Sequence, residues 1–191
     1  EGVEFRVNTN VGVDITHNEL LQKYDAVCLS GGSTVPRDLP VEGRDLKGVY
    51  FAMEFLTQQN RKLKGQEVPT EQNIDVADKN VIIIGGGDTG SDCLGTAHRQ
   101  GANSVIQMEI MPRPSENRLE KNPWPQWPAM FRTSSAHEEG GDRDHNVLTK
   151  RFVGDEDGNL ELIECARAEW IKNDATGQMS MNEVPGSDFI L

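Results

Sequence analysis

Cysteine is scarce and dispersed in this chain. Among 191 residues there are three, Cys28, Cys93 and Cys165, far apart and without a C-x-x-C pair. That excludes a disulfide framework and a cysteine zinc site, and fits reduced, separately packed thiols in a cytoplasmic protein. No stretch approaches the ~20 apolar residues of a membrane span, and the start, EGVEFRVNTN, is not a signal peptide. No membrane partner is expected. Cations are few as well. Lys and Arg number 19 against 31 Asp and Glu, a net charge of −12. General nucleic-acid binding, which runs on phosphate neutralisation, is thereby excluded. A nucleotide site is not, because it needs only a local set of donors. The histidines, His17, His98, His137 and His145, are scattered without a partnered acid or nucleophile. Internal repeats are absent. Hydrophobic content is low at 36%, yet aliphatic stretches recur, so a core can form. The length suits one large domain, or one domain plus part of another.

What is present concentrates at residues 81–90, VIIIGGGDTG. Val81–Ile84 is β-branched throughout, as a strand buried on both faces requires. Gly85, Gly87 and Gly90 fit the G-x-G-x-x-G spacing, with Gly86 between them. In that pattern the first glycine permits the tight turn, the second lets phosphates approach the backbone, and the third lets helix pack on strand. A helix is predicted over Asp88–Gln100, with Asp88 or Thr89 near its start and Gly101 just past its end. Its N-terminus would supply N–H groups and partial positive charge for a diphosphate. Asp88 and Thr89 are suited either to cap the helix or to contact the pyrophosphate. The alternative is a glycine-rich turn that binds nothing.

Around this motif the pattern predicts an α/β fold, a Rossmann-like NAD(P)H-binding domain followed by an antiparallel β-meander. Val3–Val7 and Ala26–Leu29 read as short strands around an amphipathic Asn18–Tyr24 segment. Pro36, Pro40 and Gly43 mark a boundary. Val49–Lys62 reads as a helix with Phe51, Phe55 and Leu56 on its apolar face, and Gly65–Lys79 as an exposed polar lead-in. Ser104–Met111 reads as the second parallel strand. A proline-tryptophan segment follows, holding Trp124, Trp127 and Phe131, which reads as a rigid loop, a nicotinamide cover or a partner contact. Ser134–Gly140 suggests a short helix. Val147–Val153, Leu160–Lys172 and Met179–Val184 then read as meander strands. The DEDGN between the first two is a hairpin turn rather than an EF-hand, because the later ligand positions are missing. Phe189–Leu191 begins another apolar run, as if the chain were cut from something larger.

Two sets of residues bear on which nicotinamide cofactor would bind. Glu109 falls near the end of the second strand, where dinucleotide folds place an acid on the adenosine ribose, about 20 residues beyond the glycine motif. An acid there favours NADH; otherwise it is an outward side chain of a strand. Arg113 and Arg118 lie in the loop beyond, and guanidinium groups match a 2′-phosphate, which favours NADPH. Otherwise they are a solvated pair. The two readings oppose each other.

GGGDTGSDC with RQGA after it, then EIMPRP, NPWPQWP, TKRFVGDEDGN and EVPGS, resemble the small (β) subunits of glutamate synthases. The upstream DAVCLSGGSTVPRDLPVEGRDLKGVYFAMEFL is also similar, so the likeness covers nearly the whole chain. It is to the branch with this proline-tryptophan segment, not the one with a Tyr-Arg-Arg stretch. The resemblance implies an electron-input flavoprotein. NAD(P)H would reduce FAD, and iron–sulfur clusters would carry electrons to a large subunit that makes glutamate from glutamine and 2-oxoglutarate. It further implies that residues 1–33 are a partial FAD-domain segment, 34–45 a linker and 46–191 an NAD(P)H-binding domain truncated at its C-terminus. The family's cysteine-rich region, its first FAD glycine motif and its closing flavin segment are not in this sequence, so neither a complete flavin site nor turnover is expected of the piece. Cys93 falls in the family's GGGDTxxDC pattern and reads as a packing thiol. Competing readings are a related NAD(P)H–flavin module with another acceptor, such as a dihydropyrimidine dehydrogenase or a ferredoxin–NADP oxidoreductase, or a non-catalytic interaction module. NPWPQWP and TKRFVGDEDGN argue against the former, and the intact Gly85, Gly87 and Gly90 against the latter.

Overall fold

The computed structural model describes residues 2–33, 35–173 and 176–191. It divides into two compact units, Glu1–Arg37 and Asp38–Leu191.

Among its described residues the smaller unit contains one regular element, helix α1 (His17–Lys23), which buries none of its residues. The start is fixed by reciprocal capping. The Thr16 N–H donates to the Glu19 carboxylate (2.8 Å), and the Glu19 N–H donates to the Thr16 hydroxyl (3.3 Å). The strands expected at Val3–Val7 and Ala26–Leu29 do not form. Val3, Phe5, Val7 and Leu29 are exposed instead. Alternating apolar residues make a strand only when a neighbour completes the hydrogen-bond ladder. Among the described residues of this unit the sole bridge is Val11 to Ile15.

The larger unit begins at Asp38. Leu39, Val41 and Leu46 pack on the core around Phe152, and the Phe152 N–H donates to the Glu42 carbonyl (2.9 Å). Helix α2 (Ala52–Leu63) follows, started by the Glu54 carboxylate on the Phe51 N–H (3.1 Å). The polar lead-in over residues 65–79 is not wholly exposed. Ile74 is buried, and the buried Gln58 of α2 holds both its backbone groups, accepting from the N–H (3.0 Å) and donating to the carbonyl.

Strand β1 (Asn80–Ile84), helix α3 (Asp88–Arg99) and strand β2 (Ser104–Glu109) form the expected strand–helix–strand unit. β1 and β2 are parallel, in the register Val81 to Val105 and Ile84 to Met108. A third parallel strand that the sequence did not suggest, β3 (Asp142–His145), pairs on the other side of β2, after the single turn α4 (Ser135–Glu138). Its sequence, Asp-Arg-Asp-His, carries no apolar signal. It is an edge strand recruited by backbone bonds, and its side chains serve polar contacts.

The meander forms as expected: β4 (Val147–Gly154), β5 (Leu160–Lys172) and β6 (Met179–Glu183), all antiparallel. A short β7 (Phe189–Ile190) pairs back onto β5. The Asp155 carboxylate turns the β4–β5 hairpin, accepting from the Asp157 and Asn159 N–H groups (3.0 and 2.8 Å). The turn expected over Asn173–Gly177 lies partly outside the described residues.

The parallel sheet sits between two cores. Val81, Ile83 and Val105 face α2 and α3 with Phe55, Cys93, Leu94 and Ala97. Ile82, Ile106 and Met108 face the meander with Val147, Phe152, Ile163 and Cys165. Packing against a core on each face is why Val81–Ile83 of β1 are all β-branched. Burial also pushes the Cys93 and Cys165 thiols up to about 11, with Asp92 adding to the first. Both are packing groups.

Candidate functional site

The site grows from the C-terminal ends of β1 and β2. Gly85 leaves the sheet with φ +128, a conformation side-chain-bearing residues rarely adopt, while its N–H still donates to the Met108 carbonyl (2.7 Å). Each following glycine then has its own reason. A Cβ on Gly86 would lie 2.4 Å from Glu109 Oε2. Its absence lets the Gly86 N–H donate to that oxygen (2.7 Å). A Cβ on Gly87 would meet nothing within 4 Å, so this side of the loop is open to a ligand. A Cβ on Gly90 would lie 2.4 Å from the Gly85 carbonyl oxygen and 2.5 Å from Gln107 Nε2. The third glycine thus admits a side-chain amide to the loop as well as bringing helix and strand together.

Helix α3 has Gly87 at its N-cap and no side-chain cap bond. Neither Asp88 nor Thr89 caps it; both occupy its first turn. An uncapped N-terminus leaves backbone N–H groups and positive dipole charge for an anion.

Glu109 is drawn onto the loop. One carboxylate oxygen takes the Gly86 N–H and the other takes the Met111 N–H (3.0 Å). Each oxygen keeps a second lone pair for a ligand hydroxyl. Arg113 pairs with Glu116 (2.6 Å) and stacks on the Phe131 ring, 4.1 Å from its centroid. Arg118 is held within the proline-tryptophan loop, donating to the Gln126 carbonyl. The structure brings Gly85, Gly86, Gly90 and Glu109 into contact, and gives both arginines partners of their own.

Further residues of this region were not singled out by the sequence. Gln107, 2% exposed, donates from Nε2 to the Gly85 carbonyl (2.8 Å). Its Oε1 meets His137 Nε2 (2.8 Å). Arg143 of β3 also stacks on Phe131 at 4.1 Å, and His145 packs its ring against the same residue at 5.8 Å. Burial and then Arg143 hold both His137 and His145 below the usual imidazole range, with Arg113 adding to the effect on His145. A signal for Gln107 was available: it is the one amide in the apolar run of β2. His137 comes close only through α4, which no local pattern reveals.

The strand ends are braced from the meander and from the residue just before it. The Trp170 indole N–H donates to the Ile110 carbonyl (2.9 Å), and the Asn146 N–H to the Met111 carbonyl (3.2 Å). Trp124 and Trp127 are largely exposed, with Arg132 over the Trp127 ring at 4.3 Å.

Residues 1–126 match the family described as pyridine nucleotide-disulphide oxidoreductase. The chain belongs to the pyridine nucleotide-disulphide oxidoreductases. Within them, the likeness to glutamate synthase small chains holds throughout. The chain is 49% identical over its whole length to the "Glutamate synthase [NADPH] small chain" of Mycobacterium tuberculosis, of which it spans 38%. It is 47% identical, over 98% of its length, to the "Glutamate synthase [NADH]" of Schizosaccharomyces pombe, of which it spans 9%. Among solved structures, the oxidoreductase FprA from Mycobacterium tuberculosis superposes with a TM-score of 0.59 at 16% identity. That match covers 96% of this chain and 51% of the other, a likeness of fold. This is the α/β Rossmann-like architecture expected for a pyridine nucleotide-disulphide oxidoreductase.

Proposed function

We propose that this chain carries the NAD(P)H-binding part of a glutamate synthase electron-input module. The observation that carries the reading is the Gly85–Gly90 loop. It is open at Gly87, leads into an uncapped helix and is flanked by a carboxylate fixed at the end of β2. A dinucleotide diphosphate fits that arrangement, with Gly85, Gly86, Gly87 and Gly90 shaping the loop and Asp88 and Thr89 in the first helical turn. The bound nicotinamide would supply the hydride. The chain's own residues hold the diphosphate and orient the adenosine end.

The chain spans less than two-fifths of the bacterial relative's length, so the further steps belong to a longer protein. There FAD would be the hydride acceptor, and iron–sulfur clusters would supply the route for electrons to a large subunit or domain for glutamate synthesis. On the same reading, residues 1–33 belong to a FAD-binding domain, 34–45 connect, and 46–191 hold the NAD(P)H-binding domain. No described helix is long and apolar enough to cross a membrane. The site of action proposed is the cytoplasm.

The two relatives carry both cofactor names, so names do not choose between NADH and NADPH. The geometry favours NADH. The Glu109 carboxylate lies on the loop, where it would accept from the ribose diol and repel a 2′-phosphate. Arg113 and Arg118 are the groups that would read that phosphate, but each already has a partner. Calorimetric titration of the chain with NADH and with NADPH tests both points. Binding that Gly87→Val abolishes supports the site, and tighter NADH supports the Glu109 reading. Tighter NADPH that Arg113→Ala and Arg118→Ala remove reverses the cofactor choice. Partner binding that survives Gly87→Val, with no nucleotide bound by the unaltered chain, favours the interaction module.

A further inference from the structure

A hydrogen-bonded chain runs from the glycine loop to the first turn of α3 through two other elements, β2 and α4 with its N-cap. The Gly85 carbonyl accepts from Gln107 Nε2 (2.8 Å), and Gln107 Oε1 lies 2.8 Å from His137 Nε2. His137 Nδ1 accepts from the Ser134 N–H (3.1 Å) and meets the Ser134 hydroxyl (2.9 Å). That hydroxyl in turn bonds the hydroxyl of Ser91, a buried residue of α3. The proton placement follows from the partners. A carbonyl at Gly85 requires the Gln107 amide nitrogen to face it, which turns Oε1 toward the imidazole. The imidazole must then carry its proton on Nε2, leaving Nδ1 to accept from a backbone N–H that can only donate. Every group is satisfied by a neutral His137. Space for the chain is kept by Gly90, where a Cβ would lie 2.5 Å from Gln107 Nε2.

Both ends of this chain lie where a dinucleotide diphosphate would bind. One end fixes the carbonyl of the residue at which the loop leaves β1. The other ties the first turn of α3 to α4. The peptide whose carbonyl Gln107 holds is the one that carries the Gly86 N–H, so its rotation would redirect that donor. We propose that Gln107 and His137, with Ser134 and Ser91, are positioning residues that set the glycine loop for the diphosphate. The inference rests on the dinucleotide reading above. It predicts that the strut acts equally on NADH and NADPH, because the diphosphate is common to both.

The test titrates the purified chain and four variants with NADH and NADPH, at a temperature well below each variant's unfolding. Thermal unfolding and amide hydrogen exchange are followed alongside. Gln107→Met removes both bonds at similar length, and Gln107→Glu keeps an acceptor for His137 but offers no donor to Gly85. Each is expected to weaken both cofactors by the same factor, on the order of tenfold for a lost buried hydrogen bond. His137→Leu should do likewise, and His137→Gln, whose amide can restore the donor to Gln107, should recover most of the affinity. An unchanged Kd with a lowered Tm would overturn the proposal, as would a loss confined to one cofactor. Should the unaltered chain bind neither nucleotide, the dinucleotide reading fails by itself. The strut is then decided by exchange: faster exchange confined to residues 86–90 in Gln107→Glu supports it, and unaltered or uniform exchange rejects it.

Discussion

Strand β2 has two faces that differ in purpose as well as in chemistry. Toward the meander it presents Ile106 and Met108, both in the apolar core with Phe152 and Ile163. Toward α3 it presents Val105, which is in the other core, then Gln107 and Glu109, which bond to the glycine loop. Along the helix-facing side the strand passes from apolar to amide to carboxylate as it nears its C-terminal end. The meander-facing side shows no such change. An open α/β sheet binds ligands beyond the carboxyl ends of its strands. Here that rule is met by altering one face only, so a site can be built without thinning the core behind it.

If the faces are separable, substitutions should sort by side. The largest effect is expected on the meander face. Met108→Ala, at a residue 1% exposed, should cost about 2–5 kcal/mol of stability. The folded fraction should bind nucleotide with unchanged Kd. Denaturant unfolding with parallel titration checks this, and a large change in Kd would show that the faces are coupled. On the helix face, Glu109→Gln keeps the shape and loses the charge. It should weaken NADH on the order of tenfold and weaken NADPH less, so that the ratio of the two affinities falls. Equal losses would mean that Glu109 only braces Gly86.

A smaller effect comes from pH. His137 is held below its ordinary value of 6.5 by burial and by Arg143, so the folded state takes up its proton later than the unfolded chain. The contribution of neutral His137 is fully present above 6.5 and falls away as pH drops through the lowered folded value. His145 shifts in the same sense and adds to the slope. Thermal unfolding between pH 7.5 and 5 should show Tm falling toward acid, with a shallower fall in His137→Gln. The smallest effect belongs to Arg118→Ala. With its guanidinium on the Gln126 carbonyl, its loss should change stability by no more than about 0.5 kcal/mol and leave NADH binding unaltered.

How much of this was legible in the sequence depended on how local each signal was. β1, α3 and β2 could be read because the β-branched run and the glycines act within a few residues of each other. The DEDGN turn was legible for the same reason. Val3–Val7 misled because its alternation is a statement about a partner strand, and the described part of its unit supplies none. β3 was missed for the opposite cause: Asp142–His145 has no alternation, and its backbone pairing to β2 is invisible in side-chain type. At the site, the glycine spacing predicted the turn. That Gly86 clears Glu109 and Gly90 clears Gln107 required the strand register. The His137 contact crosses 30 residues of sequence and could not be anticipated from either end.

Asn146 joins the two sheets. β3 ends at His145 and β4 begins at Val147. The single residue between them turns with φ +58, a left-handed conformation that asparagine tolerates better than most side chains. Its N–H is bonded to Met111 and its carbonyl to the Ala168 N–H (2.8 Å). A joint of one residue, bonded at both ends, leaves no slack. The parallel sheet and the meander are therefore tied directly at this residue, and they share the core between them. A load on the end of the parallel sheet is thus handed straight to the meander, as through a rivet rather than along a tether.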